Sequence, residues 1–282
     1  MSTSNILTRT IGEYDIQLFK QTSDSNDIRS LSFNSDNVQV LKNYISENAE
    51  HINHVEIRKT LALYFDKLFE DDELLSSLNN VSTIDKETIK LILLCIKSFK
   101  TNLQNITDSF TIDRIIWAYF PKKKWASPKW HQNNIGSTHR VNIYIDTKNY
   151  NKFDLILSEN PNKTLAKSRY IQFDTLTTNT ILWDDSLVLH RTPCNITSEG
   201  FPRIFIILAI SDLKFKDTLF TTNTFEQYSS ANVLTMGAFE NNSCPCTISG
   251  GYKKLGIYQS GPKKGKLKKG YYYIKGGAIK KI

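Results

Sequence analysis

Hydrophobic positions change their period part-way along the chain. Val38, Leu41, Tyr44 and Ile45 recur at steps of three and four residues, as do Val55, Leu61, Tyr64, Phe65 and Leu68, and Ile89, Ile92, Leu93 and Ile96 repeat the spacing between Asp85 and Phe99. That spacing lays one apolar stripe along a helix. Asp85 and Glu87 stand where acidic groups favour the first helical turn. From about Thr111 the texture becomes a series of short beta-rich runs: Ile112 to Phe120, Arg140 to Asp146, Phe153 to Ser158, Tyr170 to Phe173, Thr180 to Trp183, Ser186 to His190 and Arg203 to Ile210. Asn, Ser, Thr and Pro turns separate them, which predicts an antiparallel sandwich or barrel and not alternating beta-alpha units. Arg140 to Asp146 alternates polar and apolar residues, the pattern of a half-buried strand. The fold class expected is α+β.

Composition narrows the setting. A chain of 282 residues, 40% apolar with 7 Pro and 12 Gly, can bury a substantial core and is not globally disordered. The longest apolar runs, such as Ile204 to Ile210, are too short to cross a bilayer as a helix, so no membrane span is expected. Met1 to Asn5 is not followed by an apolar secretory segment, which makes an intracellular location the default. Cys95, Cys194, Cys244 and Cys246 do not form a disulfide framework; Cys95 sits in a helical pattern, and Cys244-Pro245-Cys246 lacks zinc-knuckle spacing. His51 and His54, three positions apart, have no metal-binding motif around them and read as capping or surface residues.

Charge is segregated. Residues 251 to 282 hold ten lysines and no Asp, Glu or Arg; without them the net charge of +8 becomes −2. The high pI therefore belongs to a tail, in which Lys263, Lys264, Lys266, Lys268 and Lys269 are interleaved with glycine and tyrosine. Such a polyvalent segment suits nucleic acid or an acidic protein partner. Lys122, Lys123, Lys124 and Trp125 form a second basic and aromatic patch just ahead of His131, suited either to nucleic-acid contacts or to a solvated loop.

One constellation suggests chemistry. Redox-active Fe(II) is commonly held by two imidazoles and one carboxylate. Two ligands at alternate positions on a strand point to one side, and a third can arrive from a distant strand. His131 and position 133 have the local spacing, and His190, several beta-rich runs later, is the natural distal ligand. Position 133 is Asn, whose amide oxygen is neutral and binds iron more weakly than a carboxylate. Either water or an anion fills that position, or Asp146, Asp184 or Asp185 reaches the metal, or catalysis is lost. His139 would support the site or face solvent, and Asp184-Asp185 is equally open between an acidic turn and a catalytic pair.

The segment from Thr111 to Ile210 resembles the double-stranded beta-helix, or jelly-roll, core of the Fe(II)- and 2-oxoglutarate-dependent oxygenases. The resemblance rests on His131-Gln132-Asn133, on Trp183 through Leu189-His190-Arg191-Thr192-Pro193, and on Arg203, a short distance after His190. It implies Fe(II) bound by His131 and His190 with Asn133 at the third position. It further implies 2-oxoglutarate held by Arg203 and Tyr119, and hydroxylation or demethylation of a protein or nucleic-acid substrate. The Lys-Gly-Tyr-rich end also resembles the C-termini of proteins of large DNA viruses. That likeness implies a virion or host-cytoplasm setting. The alternative it adds is a catalytically inactive jelly-roll protein acting in nucleic-acid binding or as a virion structural or packaging component. The organisation expected is a helical support region over residues 1–110, the beta-helix domain over 111–250 and the basic tail over 251–282.

Overall fold

A computed structural model describes residues 5–11, 14–20, 28–71, 73–121, 130–132, 139–145, 152–156, 169–174, 178–186, 188–191, 202–216, 226–227, 233–235, 271–273 and 279–281. Asn133, Asp146, Lys122, Lys123, Lys124, Trp125, Lys263, Lys264, Lys266, Lys268, Lys269 and the cysteines other than Cys95 lie outside them.

The helices fall where the apolar stripes predict. They are α1 (Asp36–Glu47), α2 (His54–Glu70), α3 (Leu74–Ser77) and α4 (Thr83–Ile106). Asn53 caps α2 by accepting from the Glu56 amide, and Ser82 caps α4 by accepting from the Asp85 amide. Asp85 then joins the two helix starts, because its carboxylate accepts from the Asn53 amide (2.9 Å) and from the Ser82 hydroxyl (2.8 Å).

The strands are β1 (Asn5–Ile11), β2 (Tyr14–Lys20), β3 (Ile28–Phe33), β4 (Thr107–Phe120), β5 (His139–Tyr144), β6 (Lys152–Ile156), β7 (Arg169–Asp174), β8 (Thr180–Asp184), β9 (His190–Arg191), β10 (Arg203–Phe215), β11 (Glu226–Gln227), β12 (Val233–Thr235), β13 (Tyr271–Tyr273) and β14 (Ile279–Lys281). The large sheet runs β11-β1-β2-β3-β8-β5-β10-β4 and the small one β12-β7-β6-β9, while β13 and β14 pair by themselves. The pairings among these strands are antiparallel.

Around β4, β5, β8 and β10, helices cover one face of the large sheet and the small sheet covers the other. Ile204, Ile206, Leu208 and Ile210 of β10 join Trp117 of β4, Val141 and Ile143 of β5 and the helical residues Leu41, Ile57, Ile92 and Ile96 in one buried cluster. Phe205 and Ile207 turn the other way, into a second cluster with Ala118, Tyr144, Ile181 and Trp183 of the large sheet and Phe153, Leu155 and Phe173 of the small sheet. Residues Arg203 to Ile210 are consequently buried without a break, which is why that segment reads as a continuous apolar run.

Three expectations need correction. Strands β1, β2 and β3 lie within the region read as helical, and β3 pairs with β8, so the large sheet crosses the boundary set at residue 110. Ser186 is not in a strand: its amide donates to the Asp184 carboxylate (2.9 Å), a local turn that competes with extended structure, and the strand shrinks to His190–Arg191. Finally, β5 is not half-buried, because the face carrying its polar residues is covered by the small sheet.

Ile206, wholly buried at the centre of this arrangement, should lose about 2–5 kcal/mol on replacement by alanine. Leu63→Ala, at a position 73% exposed, should change stability by less than about 0.5 kcal/mol. Urea unfolding of the two variants measures both.

Candidate functional site

Two histidines from distant parts of the sequence meet between the sheets. His131 and His190 exchange backbone hydrogen bonds in both directions, each 3.0 Å, in an isolated antiparallel bridge. Directly paired residues share a face, so both imidazoles project to the same side. Their ring centroids are 4.3 Å apart with planes inclined at 53°. Leu155, a member of the core between the sheets, is the partner of His190 in β6, which aims the imidazoles inward. Arg191 takes the opposite face, where its guanidinium lies 4.3 Å from the ring of Trp130.

His190 is buried among aromatic rings, whereas His131 is half-buried. Trp183 and Phe153 lie 4.9 and 5.6 Å from the His190 ring, centroid to centroid. Burial pushes the His190 imidazole well below its usual range, and His131 and Arg140 add to that, against an opposing interaction with the Val188 backbone. The ring is therefore neutral at physiological pH, the protonation state that can donate a lone pair to a metal.

A polar chain on the inner face of the large sheet borders the pair. Arg140 Nε donates to Asn142 Oδ1 (3.2 Å), and Asn142 Nδ2 donates to Tyr144 Oη (3.0 Å). Trp183 Nε1 donates to Asp185 Oδ1 (3.0 Å), and that same oxygen is 3.6 Å from His190 Nδ1. Burial lowers the pKa of Arg140, with Asp185 and then Tyr144 acting in the opposite direction. The two neighbouring aspartates thus separate: Asp184 holds the turn at Ser186 and is paired with His139, whereas Asp185 enters the interior. Burial also lowers the His139 pKa, against the pull of Asp184.

The other residues expected at the site divide. Arg203 is buried on the inner face, 5.8 Å from the Phe205 ring. Tyr119 is paired with Ile204 and so faces the helices, opposite to Arg203; its ring stacks on His54 at 3.8 Å. The shared ligand expected of Tyr119 and Arg203 is not compatible with that register. Among the described residues no three His, Cys, Asp or Glu side chains converge as a metal-holding group, and Asp185 flanks His190 from its Nδ1 side. Arg140, Asn142 and Tyr144 are additions to the expected set. Their signal is the polar half of the β5 alternation, which points into the protein and not to solvent.

Cys95 is buried in α4 and its thiol is pushed up to about 12 by burial, which leaves it unreactive. No helix among the described residues is long and apolar enough to cross a membrane. Comparison with protein-family models and with curated proteins gave no match.

His54 lies outside this site and generates a separate prediction. Trp117 Nε1 donates to its Nδ1 (3.1 Å), and burial pushes its pKa down to about 4, against a pull from Asp85. Between about pH 6.5 and 4 the unfolded chain binds a proton at His54 that the folded chain does not, so its contribution to stability is present above that window and is lost as pH falls through it. The ring is partly open to solvent, which trims the effect to about 1 kcal/mol. Urea unfolding at pH 7 and pH 4.5 should show a smaller acid-induced loss for His54→Phe than for the unaltered chain.

Proposed function

We propose that the chain is an Fe(II)- and 2-oxoglutarate-dependent oxygenase-like protein built on a double-stranded beta-helix. The observation that carries this reading is the inward-facing bridge of His131 and His190. Sheet order supports it as well. From β4 onward, eight segments visit the sheets in the order large, small, large, small, small, large, small, large, if His131 is counted with the small sheet through its bridge to β9. A jelly roll winds between its two sheets in this way.

The residues present fit a metal held by two imidazoles: both rings face one space, and His190 is neutral and enclosed by aromatic carbon. His131 and His190 would hold Fe(II), with position 133 supplying an amide or leaving room for water. Arg203 would bind the distant carboxylate of 2-oxoglutarate through the two-donor fork of its guanidinium. Iron and the 2-oxo acid together supply O2-dependent oxidising power for hydroxylation or demethylation. The chain's own share is orientation of the ligands and exclusion of water by Phe153 and Trp183. A protein side chain and a nucleobase are both substrates compatible with the reading.

Under anaerobic conditions Fe(II) plus 2-oxoglutarate should produce a weak visible charge-transfer band, which His190→Ala abolishes. Arg203→Ala should raise the 2-oxoglutarate concentration needed for half of the band by at least about tenfold, the loss expected for a charge-assisted pair. Asn133→Asp should tighten iron binding. A colourless wild-type protein with no iron-dependent thermal shift would sink the oxygenase reading.

A second reading is favoured by the segregation of charge: a non-catalytic jelly-roll protein that binds nucleic acid, or assembles in a virion, through residues 251–282. Binding of duplex DNA measured over a range of salt should give a log-log slope of about −5 if six phosphates are neutralised. Affinity should vanish in a chain ending at Gly250 and survive His131→Ala with His190→Ala. DNA binding that persists without the tail would move this role to Lys122, Lys123, Lys124 and Trp125.

A further inference from the structure

We infer that Asp185 is the positioning carboxylate of the histidine pair, standing outside the metal's own ligands and supplying from behind His190 the negative charge that Asn133 does not provide. The inference rests on the metal-site reading above and names a residue for it.

The geometry is specific. Asp185 Oδ1 is 3.6 Å from His190 Nδ1, with the carboxylate and imidazole side chains only 1% and 4% exposed. The indole N–H of Trp183 donates to the same oxygen at 3.0 Å, which fixes the carboxylate at the end of β8. A gap of 3.6 Å is longer than a hydrogen bond, yet short enough for a carboxylate in a desolvated interior to orient the ring electrostatically. A carboxylate beside Nδ1 favours the tautomer that carries hydrogen there, leaving the Nε2 lone pair for a metal. The Val188 backbone also interacts with the His190 side chain, so Asp185 and Val188 must be told apart experimentally.

Local sequence explains why Asp185 and not Asp184 takes this role. Asp184 commits its carboxylate to the Ser186 amide and the Ser186 hydroxyl, and sits across from His139. Asp185 is turned inward beside Trp183. Arg140 stands close enough to oppose the negative charge of Asp185, while its Nε donates to Asn142.

Zn(II) is the probe. Calorimetric titration of the full chain at fixed pH should show Asp185→Asn binding Zn(II) about 10- to 100-fold more weakly than wild type, the range typical of lost outer partners of metal-bound histidines. The asparagine oxygen still accepts from Trp183, so the metal-free melting temperature should hold. Asp184→Asn removes the same charge one residue away and should leave the Zn(II) affinity within about twofold. On the wild-type chain, nitrogen NMR of the His190 ring should report hydrogen on Nδ1 before and after Zn(II) and metal on Nε2. This measurement stands even if Asp185→Asn does not fold.

Equal affinity for Asp185→Asn and wild type overturns the role of Asp185 while leaving the metal site intact. Equal weakening by both aspartate changes also overturns it, since net charge alone would then explain the effect. Coordination through Nδ1 overturns it directly. A wild-type chain that binds no Zn(II) overturns both the inference and the metal-site reading on which it rests.

Discussion

The structure depends on one strand being covered on both faces. Residues Arg203 to Ile210 of β10 are hydrogen-bonded to β4 on one side and β5 on the other, with helices above and the small sheet below. No position in that stretch is open to water, so each must be apolar or have its polar atoms met within the protein. Alternate side chains thereby divide the molecule's apolar interior into two cores that share a single backbone. The helical core is large and ordinary. The core between the sheets is smaller, richer in aromatic rings and interrupted by charge.

That interruption is costly, because desolvated polar groups must find one another. Arg140, Asn142 and Tyr144 do so along β5, and Trp183 engages Asp185 at the adjoining strand end. The histidine pair sits at the margin of this chain, with backbone bonds tying His131 to the short strand that bears His190. Arrangement by main-chain pairing gives the two rings a fixed relation that neither side chain has to secure for itself. On the opposite face, Arg191 packs on Trp130, so the sequence neighbours of the two histidines form a contact of their own.

Much of the architecture was legible because period follows burial. The stripes ending at Ile45, Leu68 and Ile96 each became a packing helix, and the apolar run from Ile204 became the strand covered on both sides. The segment ahead of α1 gave no comparable stripe; its strands pair with one another in chain order, and β3 and β1 then reach the distant partners β8 and β11. Spacing brought out His131 and His190, since each lies beside a beta-rich run. It misread Tyr119, because sheet register, and not nearness in sequence, decides which face a residue takes. It also took polar alternation in β5 for a solvent face. A polar residue alternating within a strand reports only that one side differs from the other; what lies over that side is a property of the fold.

The passage from α4 into β4 has a consequence for how the protein is made. Ile106 ends the helix and Thr107 begins the strand with no loop between them. The partner that β4 needs for its hydrogen bonds is β10, and Phe120 must wait for Arg203. During synthesis, the helices can therefore form while the strand joined to them still lacks its partner. Closing so long a span of chain is entropically slow, and an unpaired beta edge is the feature through which growing chains associate wrongly. The strand covered on both faces is thus also the one on which assembly has to wait.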